Sequence, residues 1–246
     1  MPYLTNLADV ARSAGLTVVE QPGWKTRGHG AMVDVQAVVA HHTAGSATGD
    51  APSLQVVQNG RADLAGPLAH FLLSRSGVVY VVAAGQCWHT GSVLQSWQGN
   101  AHAIGIEAEA TGTAVWPEVQ MVAFAKLCAA LIRAFGLPVS RVLGHKEICA
   151  PVGRKVDPNF NMNDFRARVA VALNPSTDWL DVATKAEVKD AFVEALKEVL
   201  FGVRFADGRN FGDESAQQTG SLLDLQSKAE QTNEKLDAVI AALTTK

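Results

Sequence analysis

No apolar run in this 246-residue chain approaches the roughly 20 residues that a membrane helix needs, so membrane insertion is not expected. Cysteine is scarce: Cys87, Cys128 and Cys149 form no CxxC and cannot all pair among themselves. That excludes a disulfide scaffold and fits synthesis in a reducing compartment. The opening residues, MPYLTNLADVARSAG, lack a basic stretch followed by an apolar one, so no secretory signal is expected. A basic surplus is missing as well. With 21 Lys+Arg against 24 Asp+Glu the net charge is −3, which argues against a nucleic-acid partner. No internal repeat of about 20–50 residues recurs along the chain.

What is present is the composition of a soluble globular protein, 48% hydrophobic and 18% charged. The length allows one generous domain, or one domain with a small appendage, and a core that needs no staples. Charge divides the chain in two. Residues 176–246 carry 8 basic against 13 acidic side chains, net −5, whereas residues 1–175 carry 13 against 11, net +2.

Local patterning gives the elements. Residues 5–14 read as a short helix ended by Gly15, followed by polar, glycine-rich chain to Gly30. The apolar, β-branched run 36–42 reads as a buried strand, broken by Thr43-Ala44-Gly45-Ser46. Residues 70–73 and 78–82 form a strand pair across Ser74-Arg75-Ser76-Gly77, and residues 103–110 a further strand. Pro117 opens an amphipathic helix with Val119, Val122, Ala123, Leu127, Ala130, Leu131 and Ala134 as its apolar positions, stopped by Gly136 and Pro138. A strand over 139–143 and a helix over 163–173 complete the set. This order implies one α/β domain over 31–175, preceded by a helix and loop segment at 1–30.

Beyond Pro175 the pattern is all-helical through 176–246. Thr184-Lys185-Ala186-Glu187 has capping-box spacing and opens a helix with Val188, Ala191, Phe192, Ala195, Leu196, Val199 and Leu200 on one face. Over 222–243, Leu222, Leu225, Ala229, Thr232, Leu236, Val239 and Leu243 step by three and four in turn. This spacing suits a coiled coil, and equally a helix folding back on residues 184–200.

Two clusters carry chemistry. His41 and His42 end a strand, and adjacent strand residues face opposite ways, so one of them at most enters a given site. Gly144-His145-Lys146-Glu147 is followed by Gly153-Arg154-Lys155-Val156-Asp157-Pro158, with His145 and Asp157 twelve residues apart. Two imidazoles and one carboxylate would leave a fourth position open on Zn²⁺, as a catalytic site requires. The same residues also suit a satisfied strand-end histidine and unremarkable loop side chains. Spacing leaves both readings open.

The order of motifs resembles a known family. Val38-Val39-Ala40-His41-His42-Thr43-Ala44-Gly45, Ala69-His70-Phe71-Leu72-Leu73 and Ser76-Gly77-Val78-Val79-Tyr80 come first. Trp88-His89-Thr90-Gly91, Ile104-Gly105-Ile106-Glu107, Gly144-His145-Lys146-Glu147 and Gly153-Arg154-Lys155-Val156-Asp157-Pro158 follow in sequence. Together they resemble the zinc-dependent N-acetylmuramoyl-L-alanine amidases, a superfamily that includes phage endolysins, wall-recycling amidases and peptidoglycan recognition proteins. The resemblance covers residues 31–173.

It implies one Zn²⁺ per chain, held by His41, His145 and Asp157, with His42 turned away. It also implies Glu107 as general base and Lys155 as the group that stabilises the oxyanion. His70, His89, Trp88 and Arg154 become candidates for substrate binding, with Arg154 equally suited to pinning its loop. Ala69 stands where some relatives carry tyrosine, which fits the branch that uses glutamate. The stretch 148–152 is longer than the usual loop and brings Cys149 near the ligands as a competing thiolate.

The implied fold is a central mixed β-sheet flanked by helices, with a C-terminal helical extension. The implied reaction is hydrolysis of the amide between N-acetylmuramic acid and L-alanine in peptidoglycan. A chain without a secretory signal fits a phage endolysin, made in the host cytoplasm and released to the wall by a holin. Peptidoglycan is the expected partner, with self-association through the C-terminal helix as a second. The competing readings are a zinc peptidase acting within the stem peptide, a peptidoglycan-binding module, and a structural virion protein.

Overall fold

The computed structural model describes residues 3–174. The expected helix over 184–200 and the coiled coil over 222–243 lie outside the described residues. In chain order the elements are α1 (Leu7–Ser13), β1 (Val18–Glu20), β2 (Ala37–His42), α2 (Leu54–Asn59), β3 (Gly60–Arg61), β4 (Leu64–Ala65) and β5 (Phe71–Leu73). Then come β6 (Val79–Val81), β7 (Ala103–Ala108), α3 (Glu118–Ala134), β8 (Val142–Gly144), α4 (His145–Ile148) and α5 (Met162–Leu173). No helix among the described residues is long and apolar enough to cross a membrane.

Six strands form one sheet in the order β1-β6-β5-β7-β2-β8, and β3 with β4 makes a separate two-stranded hairpin. Strands β5, β7, β2 and β8 run parallel, β6 is antiparallel to β5, and β1 runs parallel to β6 at the edge. The central strands are buried on both faces, which is why their sequences read as continuous apolar runs rather than as alternation.

The two faces nevertheless do different work. On one, Val38, Ala40, Phe71, Leu73, Ile104, Ile106 and Val142 join Leu7 and Ala11 of α1, Phe124, Leu127 and Leu131 of α3, and Phe165 and Val169 of α5 in the principal core. Each large side chain fully buried there contributes on the order of 1.5–3 kcal/mol. The other face carries Ala37, Val39 and His41 of β2 beside Ala103, Gly105 and Glu107 of β7, since Val39 pairs with Gly105 and His41 with Glu107. It is covered by smaller clusters, one around Val57 of α2 and Leu72, the other around Ile148 of α4 and Val39. The sheet is thus flanked by three substantial helices on one side and two short ones on the other.

Helix α3 begins directly after Pro117, whose fixed φ of −59° suits a helix start, and it ends before Gly136 in the left-handed region at φ 65°. The Asn161 side chain caps α5, accepting from the Asn163 and Asp164 N–H groups at 2.8 and 3.4 Å. Between them the chain departs from the strand expected at 139–143. Val139–Arg141 forms a 3-10 turn, closed by the Arg141 N–H to the Pro138 carbonyl at 2.9 Å, and β8 starts only at Val142. The N-terminal segment is part of the same body. Leu4, Leu7, Ala8, Ala11 and Trp24 enter the principal core, and β1 extends the sheet alongside β6.

Candidate metal centre and active site

Strand pairing brings the histidines together. Ala40 of β2 pairs with Gly144 of β8, so the residues that follow, His41 and His145, emerge side by side where two parallel strands end. Asp157 comes from the loop after α4, whose backbone is fixed by the Lys146 N–H donating to the Asp157 carbonyl at 2.8 Å. The three residues are 1%, 4% and 8% exposed. His41 Nδ1 lies 3.0 Å from His145 Nδ1, and each lies 3.1 Å from Asp157 Oδ2. Among the described residues these three form a group whose donor atoms could hold a metal ion.

The opposite ring nitrogens define where the protons sit. His145 Nε2 is 2.9 Å from the Thr90 carbonyl, which can only accept, so Nε2 carries the proton. His89 Nε2 is 3.1 Å from the Ala103 carbonyl and is protonated for the same reason. His89 Nδ1 is then an acceptor, and His41 Nε2 donates to it across 3.0 Å. With neutral rings, both Nδ1 lone pairs and an Asp157 oxygen therefore face one another with no hydrogen between them.

A proton or a cation must resolve that repulsion. Burial pushes His41 down to about 4, against the opposing pull of Asp157, so at neutral pH this ring does not supply the proton. Burial would raise the Asp157 carboxyl, but the facing imidazoles of His145 and His41, which gain by sharing a proton or cation with its anion, hold it far below the usual carboxylate range. The anion with two imidazoles is a donor set suited to zinc. Corners of a tetrahedron around an ion with bonds of about 2.0–2.1 Å lie roughly 3.3 Å apart, close to the observed triangle. The residues present fit the group.

Glu107, opposite His41 in the sheet register, presents a buried Oε2 with no hydrogen-bond partner. Burial and then the Asp157 charge push its carboxyl up to about 8, with Lys155 pulling the other way. A cavity of about 370 Å³ opens on the cluster, lined by His145, His89 and Lys155 together with Arg61, Leu64 and Trp88. The cavity wall thus brings the Lys155 side chain and the metal-ligand candidate His145 together, with Glu107 behind them on the sheet, opposite His41.

Residues 31–160 match the family described as Amidase_2, N-acetylmuramoyl-L-alanine amidase, which is more than half of the chain. The chain belongs to the N-acetylmuramoyl-L-alanine amidase family. It is 38% identical over 109 residues to the 1,6-anhydro-N-acetylmuramyl-L-alanine amidase AmpD of Citrobacter freundii, covering 41% of this chain and 56% of the relative. Against AmpD of Salmonella typhimurium strain SL1344 it is 36% identical over 112 residues, covering 42% of this chain and 58% of the relative. The chain thus spans little more than half the length of these curated relatives. A crystal structure of a selenomethionine AmpD derivative aligns at 28% identity with a TM-score of 0.47, covering 63% of this chain and 94% of that one.

Around the centre of this amidase-family domain the remaining candidates separate. His42 points to the other face, its ring 6.5 Å from Trp116. Trp88, 41% exposed, stacks on His29 at 3.7 Å on the cavity rim. Arg154 also borders the cavity, but its guanidinium donates to the carbonyls of Ala150, Thr90 and Ser92 at 2.9, 3.1 and 2.8 Å, which pins the loop bearing Lys155 and Asp157. His70 is fully buried, with Nδ1 accepting from the Gly105 N–H at 3.1 Å. Burial pushes it down to about 3. Cys149 is buried, and its Sγ lies 3.8 Å from the Lys146 carbonyl, outside the donor triangle.

Three participants were not among the residues the sequence singled out, two of them acting through backbone carbonyls and one through its side chain. The Thr90 and Ala103 carbonyls fix ring protons, and Asn100 Oδ1 receives the His89 and Thr90 N–H groups at 3.0 and 2.9 Å. Only the Trp-His-Thr-Gly motif pointed toward this segment.

Proposed function

We propose that this chain hydrolyses the amide joining the lactyl group of N-acetylmuramic acid to L-alanine of the peptidoglycan stem peptide, with one Zn²⁺ held by His41, His145 and Asp157. The observation that carries the reading is the triangle of unshared lone pairs, with the Glu107 carboxyl, whose buried Oε2 has no hydrogen-bond partner, opposite His41 in the sheet and the Lys155 side chain on the cavity wall. Family membership supplies the substrate class.

Zinc, when bound, supplies the Lewis acidity that activates a water and polarises the scissile carbonyl. Asp157 contributes the single negative charge of the ligand set and leaves the centre with a net positive charge. Glu107 takes a proton from the attacking water and returns it to the departing nitrogen. The Lys155 ammonium, on the cavity wall, balances the negative charge that develops on the carbonyl oxygen. One C–N bond breaks, one C–O bond forms, and the products are a lactyl carboxylic acid and a free L-alanine amine. The cavity's cationic lining, with Arg61 beside Lys155, suits a stem peptide that carries carboxylates.

As to setting, we read the enzyme as a phage lysis protein made in the host cytoplasm and reaching the wall after holin action. Residues 176–246 would serve self-association or wall contact. Purified peptidoglycan digested by wild-type protein and by the Glu107→Ala and Asp157→Ala variants tests the reaction. Stem peptides beginning with free L-alanine, released by wild type alone, support it. Fragments cut inside the stem peptide would replace it with a peptidase, and zinc uptake with wall binding but no cleavage would replace it with a binding module.

A further inference from the structure

We infer that His89 is a positioning residue of the metal centre: seated over Gly105, it accepts the Nε2 proton of His41 and so aims the His41 Nδ1 lone pair at His145 and Asp157. The inference rests on the reading that this triangle binds zinc.

A buried imidazole can rotate by half a turn and exchange its nitrogen for carbon at nearly the same volume, so burial alone does not choose which atom faces the cluster. For His41 the choice is made by one hydrogen bond. Its ring meets that of His89 edge to face, with centroids 5.1 Å apart and planes at 87°, and Nε2 reaches His89 Nδ1 at 3.0 Å. His89 cannot reverse its own polarity, because its Nε2–H is committed to the Ala103 carbonyl. The direction of the chain from Ala103 through His89 to His41 is therefore set by the backbone of β7.

The seat for His89 is cut by a glycine. A Cβ at Gly105 would lie 2.7 Å from both Cγ and Nδ1 of the His89 ring, closer than real side chains approach. Gly105 lies within β7 and pairs with Val39, and its backbone does not occupy the left-handed region. Glycine is needed there for space, and alanine could adopt the same backbone. The neighbouring residue extends the device. The Thr90 carbonyl receives the His145 Nε2 proton, and Asn100 Oδ1 accepts from the N–H groups of both His89 and Thr90. Two consecutive residues thus orient both histidines, and an outer partner of this kind is typically worth about 10–100-fold in metal affinity.

Zinc affinity, measured by competition with a chromophoric chelator on the full chain, tests this with three variants. His89→Leu keeps the bulk but offers no acceptor, and Gly105→Ala displaces the ring without removing any polar group. Both should bind zinc about 10–100-fold more weakly than wild type. His89→Asn places an amide oxygen near the Nδ1 position and should recover most of the loss. Long-range proton–nitrogen NMR of the metal-free protein should show His41 as the Nε2–H tautomer in wild type and a mixture in Gly105→Ala. Folded Gly105→Ala and His89→Asn proteins serve if His89→Leu fails to fold. Wild type that takes up zinc, with variants within about twofold of it, overturns this inference alone. Wild type that takes up no zinc overturns the metal centre itself and the inference with it.

Discussion

Glu107→Gln should make the metal-free protein more stable while sharply lowering the turnover of the zinc-loaded enzyme, and the stability gain should depend on pH. The carboxyl is half-buried, its Oε2 lacks a partner, and burial followed by the Asp157 charge raises it from 4.5 to about 8. A raised carboxyl means that the folded chain holds a proton which the unfolded chain has released between those two values. Wild-type stability therefore falls as pH rises through that window, by up to 1.36 kcal/mol per unit. The full shift would amount to about 4–5 kcal/mol, and solvent screening of a half-buried group brings the expectation to about 2–4 kcal/mol. Glutamine occupies the same volume without a charge. In chelator, denaturant unfolding of the two proteins should coincide near pH 4.5 and separate progressively toward pH 8.5, with the variant the more stable. Equal stability at pH 8.5, or a gap independent of pH, would refute the argument. On substrate the same variant should lose about 100-fold or more in turnover, as befits a missing general base, while still taking up zinc.

Other expectations follow from the same geometry. Asp157→Ala should remove bound zinc and activity together, read by metal analysis and wall digestion on one preparation. Arg154→Ala deletes the bonds to Ala150, Thr90 and Ser92, and should cost about 1–2 kcal/mol in denaturant unfolding and weaken zinc binding by loosening the loop that carries Asp157. Phe124→Ala opens a cavity among Phe160, Phe165 and Trp116 and should cost about 3–5 kcal/mol without changing which bond is cut. A chain ended after Pro175 should retain its melting transition and zinc uptake. If the full chain self-associates through residues 176–246, sedimentation should show the truncated chain as a monomer.

The central strands were legible in the sequence because they are buried on both faces, and a run such as Ala37 to Ala40 has no other simple reading. The helix after Pro117 was equally plain, being bounded by a proline and a glycine. β1 was not, since three residues at a sheet edge give no periodicity and its pairing with β6 is long-range. α2 and the β3–β4 hairpin are too short to show one.

At the site, the strand end at His41 and the loop pair His145 and Asp157 were visible as residue types. Their convergence was not derivable from a spacing of twelve, and it came from the resemblance of the motifs. What no side-chain pattern could reveal is the orientation of the rings. Backbone carbonyls at Thr90 and Ala103 do that, and a carbonyl leaves the same trace in every residue.

The most direct test of the account is mass spectrometry of the soluble products from purified peptidoglycan, with and without a zinc chelator. The expected result is soluble stem peptides with free amino-terminal L-alanine, glycan strands left uncut, and peptide release that is lost in chelator and restored by added zinc. Cleavage within the peptide or the glycan, or release that persists undiminished in chelator, would contradict it.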